Sequence, residues 1–340
     1  MTPYNLKQET ASNTGFSDQP SFLKTSVSAC AKILVDGVKR SNVHRLAVTT
    51  LLGGMFLGCA SLPGSSPTGT IAQGAFVQTL SHDGEEREFI VYVPSSYDGN
   101  EELPLMFAFH GFGGTAEDFM NWTQMHPLAE QENFILVFPQ GSLLDGSPHW
   151  NSSLPGGDNK SSADDFGFFD AMVEEISSTY RIDMDRIYTS GYSNGSFFSY
   201  ALACYRSDLV AAVASVSGTM MDGLIDDCNP SHPTAMINLH GTSDYVVPYN
   251  GGVGYSSVDE VMEYWMDINN TDSSPLTSTT GNVEQYLYSN GEGDIGIAHY
   301  KINGGDHVWF DLDYEGRSTS GIIWDFVSQY NKNGLIGSAE

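Results

Sequence analysis

The 340-residue chain predicts an α/β fold, a mostly parallel central sheet flanked by helices on both faces. Three observations lead there. Short, almost wholly apolar runs such as LPLMFAF and FILVF are bounded by glycine, proline or charge, as strands buried on both faces are. Amphipathic segments with helical spacing alternate with them. Several strand-like runs end in glycine-rich tails that carry chemically capable side chains: HGFGG, GYSNG, HGTSD and NGGDH. Binding sites in open parallel sheets gather at the carboxyl ends of strands.

The elements follow in order. Residues 76–80 and 88–93 predict an opening antiparallel pair. LPLMFAFHG and FILVFPQG predict buried strands, and DAMVEEISSTY predicts a helix. RIYTSG, LVAAVASVSG and TAMINLHG predict further strands, whereas residues 197–204, 258–267 and 322–330 predict helices. No internal repeat or low-complexity tract interrupts the pattern, so residues 72–335 are expected to form one domain.

The first seventy residues follow other rules. In residues 38–60, VKRSNVHRLAVTTLLGGMFLGCA, the basic Lys39, Arg40 and Arg45 precede an apolar run too short to span a bilayer stably. This is the layout of an export signal over residues 38–58. Its end, FLGC, resembles a bacterial lipobox, which implies cleavage before Cys59 and lipidation of that residue. An ordinary secretory signal with an incidental cysteine is the alternative. Residues 1–37 are polar and patternless and are expected to be an upstream extension not native to the protein. Residues 59–71, opening on CASLPGSSP, are expected to be a flexible tether. The implied setting is exported: an outer-membrane-anchored lipoprotein, periplasmic or extracellular.

Charge narrows the partners. The chain has 42 Asp and Glu against 14 Lys and Arg, a net charge of −28. Such a surface repels nucleic acid and anionic membranes, so membrane contact is expected only through a lipid on Cys59. It also suits salty surroundings, where self-repulsion is screened. Cys30, Cys59, Cys204 and Cys228 form no CxxC pair and, with nine scattered histidines, no zinc spacing, so no metal is expected.

The chemistry centres on RIYTSGYSNGSFFSYALAC. A strand that turns this sharply into a helix forces the corner residue into a strained conformation and crowds its neighbours. Gly191 and Gly195 relieve that crowding and lift the Ser193 hydroxyl above the sheet edge. The helix that follows favours developing negative charge there. A serine needs a base to take its proton. His307, in NGGDHVWF, lies after the strand-like AHYKI on a glycine-rich loop and follows Ser193 in chain order. His82 and His126 precede the serine, while His110 and His240 end strands before glycine, where packing is the expected role. His149, His232 and His299 have no supporting pattern. Asp244, just past a strand in INLHGTSDYVVP, is the expected acid, with Asp294 as runner-up and Asp306 poorly placed. A tetrahedral intermediate needs preorganised donors. The backbone N–H of Asn194 and that of Phe112 in HGFGGT are the candidates, with Gly111 as the alternative to Phe112.

Together HGFGGTAEDF, FPQG, HWN at residues 149–151, DDFGFFDAMVEEI, RIYTSGYSNGS, LHGTSDYVVPYNGG and GGDHVW resemble the polyhydroxybutyrate-depolymerase-like and feruloyl-esterase-like α/β-hydrolases of carbohydrate esterase family 1 type. The resemblance runs from about residue 88 to 330. It implies an α/β-hydrolase fold, a Ser193–Asp244–His307 triad and ester hydrolysis through an acyl-enzyme. It implies no cofactor, and a monomer is expected. It also implies a disulfide between Cys204 and Cys228. The sequence departs from the family at Phe112–Gly113, where members often have Cys or a small residue, and at Asp306-His307-Val308-Trp309-Phe310, where they commonly read Gly-His-Thr/Ala-Trp-Pro. Trp150, Trp309 and Tyr192 are candidates to line the substrate pocket, with core packing the competing role. The expected substrates are feruloyl or acetyl esters on plant or algal polysaccharide, or a short polyester such as polyhydroxybutyrate. A serine peptidase and a non-catalytic glycan-binding lipoprotein are the other readings.

Overall fold

The computed structural model describes residues 73–154, 157 and 159–337. The expected upstream extension, export signal, Cys59 and tether lie outside the described residues. The chain divides into two units, Met1–Ser66 and Pro67–Glu340, and every described residue belongs to the second. In chain order the elements are β1 (Gly74–His82), β2 (Glu85–Val93), β3 (Leu103–Phe109), α1 (Ala116–Thr123), α2 (Met125–Glu132), β4 (Ile135–Pro139), β5 (Ser142–Leu144), β6 (Ser147–His149) and α3 (Asp165–Thr179). Then come β7 (Ile182–Tyr192), α4 (Asn194–Tyr205), β8 (Val210–Val216), α5 (Asp222–Asp227), β9 (Ala235–Gly241), α6 (Val258–Asn269), β10 (Leu276–Thr280), β11 (Val283–Tyr288), β12 (Ile297–Ile302), α7 (Thr319–Val327), β13 (Tyr330–Asn331) and β14 (Gly334–Leu335).

Ten strands form one sheet in the order β1-β2-β4-β3-β7-β8-β9-β12-β11-β10. From β4 to β12 every neighbouring pair is parallel. Antiparallel pairs close both edges. The alternation of strand side chains explains why β3 is apolar throughout. Leu105, Phe107 and Phe109 enter one core, with α3, α4 and α6. Met106 and Ala108 enter the other, with α1, α2 and α7. Trp265 of α6 and Phe198 of α4 are fully buried in the first core, and Trp324 of α7 stacks on Phe134 in the second.

The predicted strands and the helices α3, α4 and α6 appear where the pattern put them. Three of the differences have a plain physical cause. α1 and α2 have no counterpart in the prediction: each is only eight residues long, and α2 carries Pro127 in its first turn, where a missing N–H is tolerated. The β10–β11 hairpin is absent from the prediction because LTSTT of β10 is exposed along its whole length and presents no apolar face. The final helix ends at Val327, three residues early, and Tyr330 begins a short strand instead.

Candidate active site

The corner residue Ser193 has φ 52° and ψ −119°, a positive-φ conformation that costs a non-glycine residue about 1–3 kcal/mol. Its N–H donates to Val216 O at 3.0 Å, which ties the corner to β8. A Cβ on Gly191 would lie 2.1 Å from Gly195 O, and one on Gly195 would lie 2.1 Å from Phe109 O. Both glycines are therefore required by close backbone approach. Ser193 also stands at the N-cap of α4, where a serine ordinarily spends its oxygen on the helix amides. Here it makes no side-chain cap bond, and its hydroxyl faces elsewhere.

It faces His307. Ser193 Oγ lies 2.9 Å from His307 Nε2, and His307 Nδ1 lies 2.7 Å from Asp244 Oδ2. With Nδ1–H donating to the carboxylate, Nε2 is free to accept the serine proton. Asp244 Oδ1 accepts the N–H groups of Val246 and Val247 at 2.9 and 2.8 Å. Burial alone would raise this carboxyl, but the bonds from His307 and Val247 more than offset it and hold it below the usual carboxylate range. Asp244 thus stays ionised opposite the imidazole. Asp294 is exposed, in the short turn before β12, and Asp306 is exposed beside His307.

Two loops carry the acid and the base, and they are bound together. Thr242 N–H donates to Ile302 O at 2.9 Å, Ser243 N–H to Gly305 O at 2.9 Å, and Gly304 N–H to Thr242 Oγ1 at 2.8 Å. A Cβ on Gly241 would meet Gly305 O at 2.2 Å. On its other side the His307 loop is held by Tyr192, whose hydroxyl donates to His307 O at 2.9 Å, and by Ser217, whose hydroxyl donates to Val308 O at 2.8 Å. Burial pushes the Tyr192 hydroxyl up to about 12, so it remains a donor.

The loop after β3 lies against the corner. A Cβ on Gly111 would sit 2.8 Å from the Tyr192 ring and 3.4 Å from Ser193 Cβ. His110 shapes this loop: its Nδ1–H donates to Gly111 O at 2.8 Å, and its Nε2 accepts the Gly141 N–H at 3.0 Å. Among the described residues the N–H of Phe112 has no acceptor. Asn194 opens α4, so its N–H has no intrahelical partner. Both backbone donors lie on the segments that flank Ser193.

A cavity of about 510 Å³ opens beside the serine. Phe112, Trp150, Phe197, Met221, Val247 and Tyr255 give it mostly apolar walls. Trp150 is buried, with its indole N–H donating to His110 O at 3.0 Å and its ring stacked on Phe198. Two of the pocket candidates lie elsewhere. Trp309 sits in the second core, edge-on to Phe119, because the chain turns inward after the exposed Val308. Tyr192 supports the His307 backbone and does not reach the cavity wall. Phe197, Met221, Val247, Val253 and Tyr255 replace them. Phe197 follows the nucleophile motif on α4 and Val247 lies within LHGTSDYVVPYNGG, whereas Met221, Val253 and Tyr255 come from the loops after β8 and β9 and carry no motif that could have announced them.

The Asn194 side chain does more than follow the serine. Its Oδ1 accepts the Trp150 N–H at 2.7 Å and its Nδ2 donates to Trp150 O at 3.0 Å. The HWN and SNG motifs are thus joined. Asp165 continues the support: it accepts the Asn151 N–H at 2.8 Å and pairs with buried Arg87 at 2.8 Å. Cys204, near the end of α4, is joined by a disulfide to Cys228, 24 residues on. In the chain-entropy model, closing such a loop stabilises by about 3 kcal/mol. Among the described residues no three His, Cys, Asp or Glu side chains group as a metal ion would need, and no helix is long and apolar enough to cross a membrane.

Buried neutral histidines give the domain a pH dependence. Burial holds His110 down at about 4 and His299 at about 3, and it lowers His240 as well. Their folded pKa values lie below the unfolded value of about 6.5. The unfolded chain therefore takes up protons first as pH falls. Stability is full above about pH 6.5 and declines as pH drops toward 4. Between about pH 7 and pH 5 the expected loss is about 2 kcal/mol for each of His110 and His299. Urea denaturation at the two pH values checks it, and an unchanged midpoint would refute the assignment.

Comparison with known proteins fits this geometry. A family model described as "Putative esterase" matches residues 81–237. "Feruloyl esterase B" of Piromyces equi is 29% identical over 256 residues, 72% of this chain and 45% of that protein. "Probable feruloyl esterase C" of Aspergillus flavus is 31% identical over 199 residues, 57% of this chain and 67% of that protein. A "Bifunctional acetylxylan esterase/xylanase" of Neocallimastix patriciarum is 27% identical over 262 residues, 75% of this chain and 35% of that protein. The chain spans between 35% and 67% of the length of these three relatives. Among solved structures, an acetyl xylan esterase from Aspergillus awamori superposes with a TM-score of 0.54 at 17% identity, covering 74% of this chain and 99% of that one. A ferulic acid esterase from Anaeromyces mucronatus gives 0.52 at 17% identity, covering 79% of this chain and 94% of that one. These two likenesses share the α/β fold.

Proposed function

Because the chain belongs to the feruloyl-esterase-like family of α/β-hydrolases, we propose that it is a serine esterase cleaving feruloyl or acetyl esters carried on polysaccharide. The observation that carries this reading is the relay from Asp244 through His307 to Ser193 Oγ, at the edge of an apolar cavity. Ser193 Oγ attacks the ester carbonyl while His307 Nε2 takes its proton. The Phe112 and Asn194 N–H groups receive the oxyanion, aided by the positive end of α4. His307 then protonates the departing alcohol, leaving the acyl group on Ser193. Water, activated by the same imidazole, releases the acid. Asp244 holds the imidazole tautomer and stabilises the imidazolium.

The cavity walls suit a flat acyl group, with exposed Phe112 and half-buried Tyr255 as the aromatic surfaces. A short polyester such as polyhydroxybutyrate is the second reading. It is favoured by exposed apolar side chains: Tyr245, Val246 and Val308, which follow Asp244 and His307 in sequence, are 81%, 48% and 39% exposed, and Phe112, on the lining of the Ser193 cavity, is 57% exposed. Export through residues 38–58, lipid attachment at Cys59, a tether over 59–71, one catalytic domain over 72–335 and a monomeric state complete the proposal.

A fluorophosphonate reagent should label Ser193 stoichiometrically, whereas a non-catalytic glycan-binding protein would not react. Methyl ferulate, acetylated xylan, polyhydroxybutyrate and a peptide amide then separate the substrate classes. Turnover of the peptide alone would sink the esterase reading.

A further inference from the structure

We propose that Lys160 is a specificity residue that binds an anionic group, carboxylate or sulfate, on the sugar chain bearing the scissile ester; this rests on the esterase reading above. The chain carries three acidic residues for every basic one. A lysine with no task on such a surface would settle against a carboxylate, and the other described cations are engaged. All five described arginines and Lys332 pair with acids, and Lys301 lies over the Tyr249 ring at 5.5 Å. Among the described residues Lys160 alone has neither a carboxylate partner nor an aromatic face. It lines the cavity that contains Ser193.

Its loop is built to hold that place. Asn159 Oδ1 accepts the Ser153 N–H at 3.0 Å, and Asn159 Nδ2 donates to Ser153 O at 2.6 Å and Leu154 O at 3.0 Å. On the other side of Lys160, Asn151 Nδ2 donates to Ser161 O at 3.2 Å and Ser161 Oγ at 3.0 Å. Asn151 is itself fixed by Asp165. Asn159 and Ser161, the two neighbours of the exposed Lys160 ammonium, are therefore each held by hydrogen bonds. The chain's net negative charge repels an anionic glycan, so the cation that stands unpaired among the described residues, in the cavity that contains Ser193, marks where such a group is accepted. A neutral feruloyl or acetyl group has no use for it, which places the charge on the sugar side.

The test measures binding apart from turnover. Acetylated xylo-oligosaccharides of one length are prepared neutral, with a glucuronic acid branch, and with a sulfate. Their Kd values are compared by calorimetry for the Ser193→Ala protein and for Ser193→Ala combined with Lys160→Gln, Lys160→Arg or Lys160→Glu. The Ser193→Ala protein should bind an anionic oligosaccharide about five- to tenfold more tightly than the neutral one. Lys160→Gln should erase that preference, Lys160→Arg retain it, and Lys160→Glu reverse it. In about 1 M salt, where the screening length is about 3 Å, the preference should collapse. Whether glucuronate or sulfate gains more identifies the source of the anion. No anionic preference, or one that survives Lys160→Gln within twofold, overturns the proposal. Failure of the wild-type protein to cleave any of the esters, with the binding preference intact, would instead overturn the esterase reading and leave Lys160 as an anion-binding residue.

Discussion

Ser193→Ala is expected to lower kcat by about a millionfold while leaving the folded domain nearly as stable as before. The activity loss follows from the geometry: Oγ is the atom that His307 Nε2 meets at 2.9 Å, and no other hydroxyl stands in that position among the described residues. The fold survives because the hydroxyl caps no helix amide and the side chain contributes to neither core. Alanine keeps the same backbone strain that serine bears at φ 52°. His307→Ala should cost nearly as much, and the double variant little more, because the two residues act as a unit. Steady-state assays on methyl ferulate, with thermal denaturation in parallel, check both halves. Residual activity above about one per cent of wild type would remove Ser193 from the mechanism.

Gly195→Ala carries the largest expected effect on stability. Its Cβ would stand 2.1 Å from Phe109 O and 2.6 Å from His110 O, both backbone atoms of the central strand β3 and its exit. No side-chain rotation relieves that collision, so α4 must lift from the sheet. The expected loss is about 3 kcal/mol or more, enough to deplete the folded protein. Gly113→Ala makes a useful contrast. Its φ of 77° strains any side chain, but nothing lies within 4 Å, so the cost should stay near 1–2 kcal/mol. Urea denaturation of the two variants ranks them. A Gly195→Ala midpoint close to wild type would show that the contact is not rigid.

The parts legible in the sequence are those for which local chemistry and global position coincide. β3, β4, β8 and β9 are buried on both faces, so their apolar runs had no polar alternation to confuse the pattern. Asp244 follows such a strand, β9, while Ser193 and His307 follow β7, whose carboxyl half is buried, and β12, which is mostly buried, and glycine marks each exit. What could not be read depends on contacts between distant segments. Trp309 and Trp150 are both tryptophans beside suggestive motifs and both are buried, one in each core, yet only Trp150 also borders the cavity. The difference is which way the chain turns after Val308, and that is set by packing on Phe119. Tyr192 adjoins the serine but works through its hydroxyl on a carbonyl 115 residues away. The amide of Asn194 clasping Trp150 likewise has no local signature.

The interlocking of Gly241 with Gly305, and of Thr242 and Ser243 with the strand exit opposite, has a bearing on how such hydrolases can be recombined. Neither segment is a separable module. A chimera that borrowed the aspartate stretch from a cousin while retaining its own histidine stretch would inherit two surfaces never fitted to one another. The pair must travel together in any graft, and natural variation in one should be answered by variation in the other.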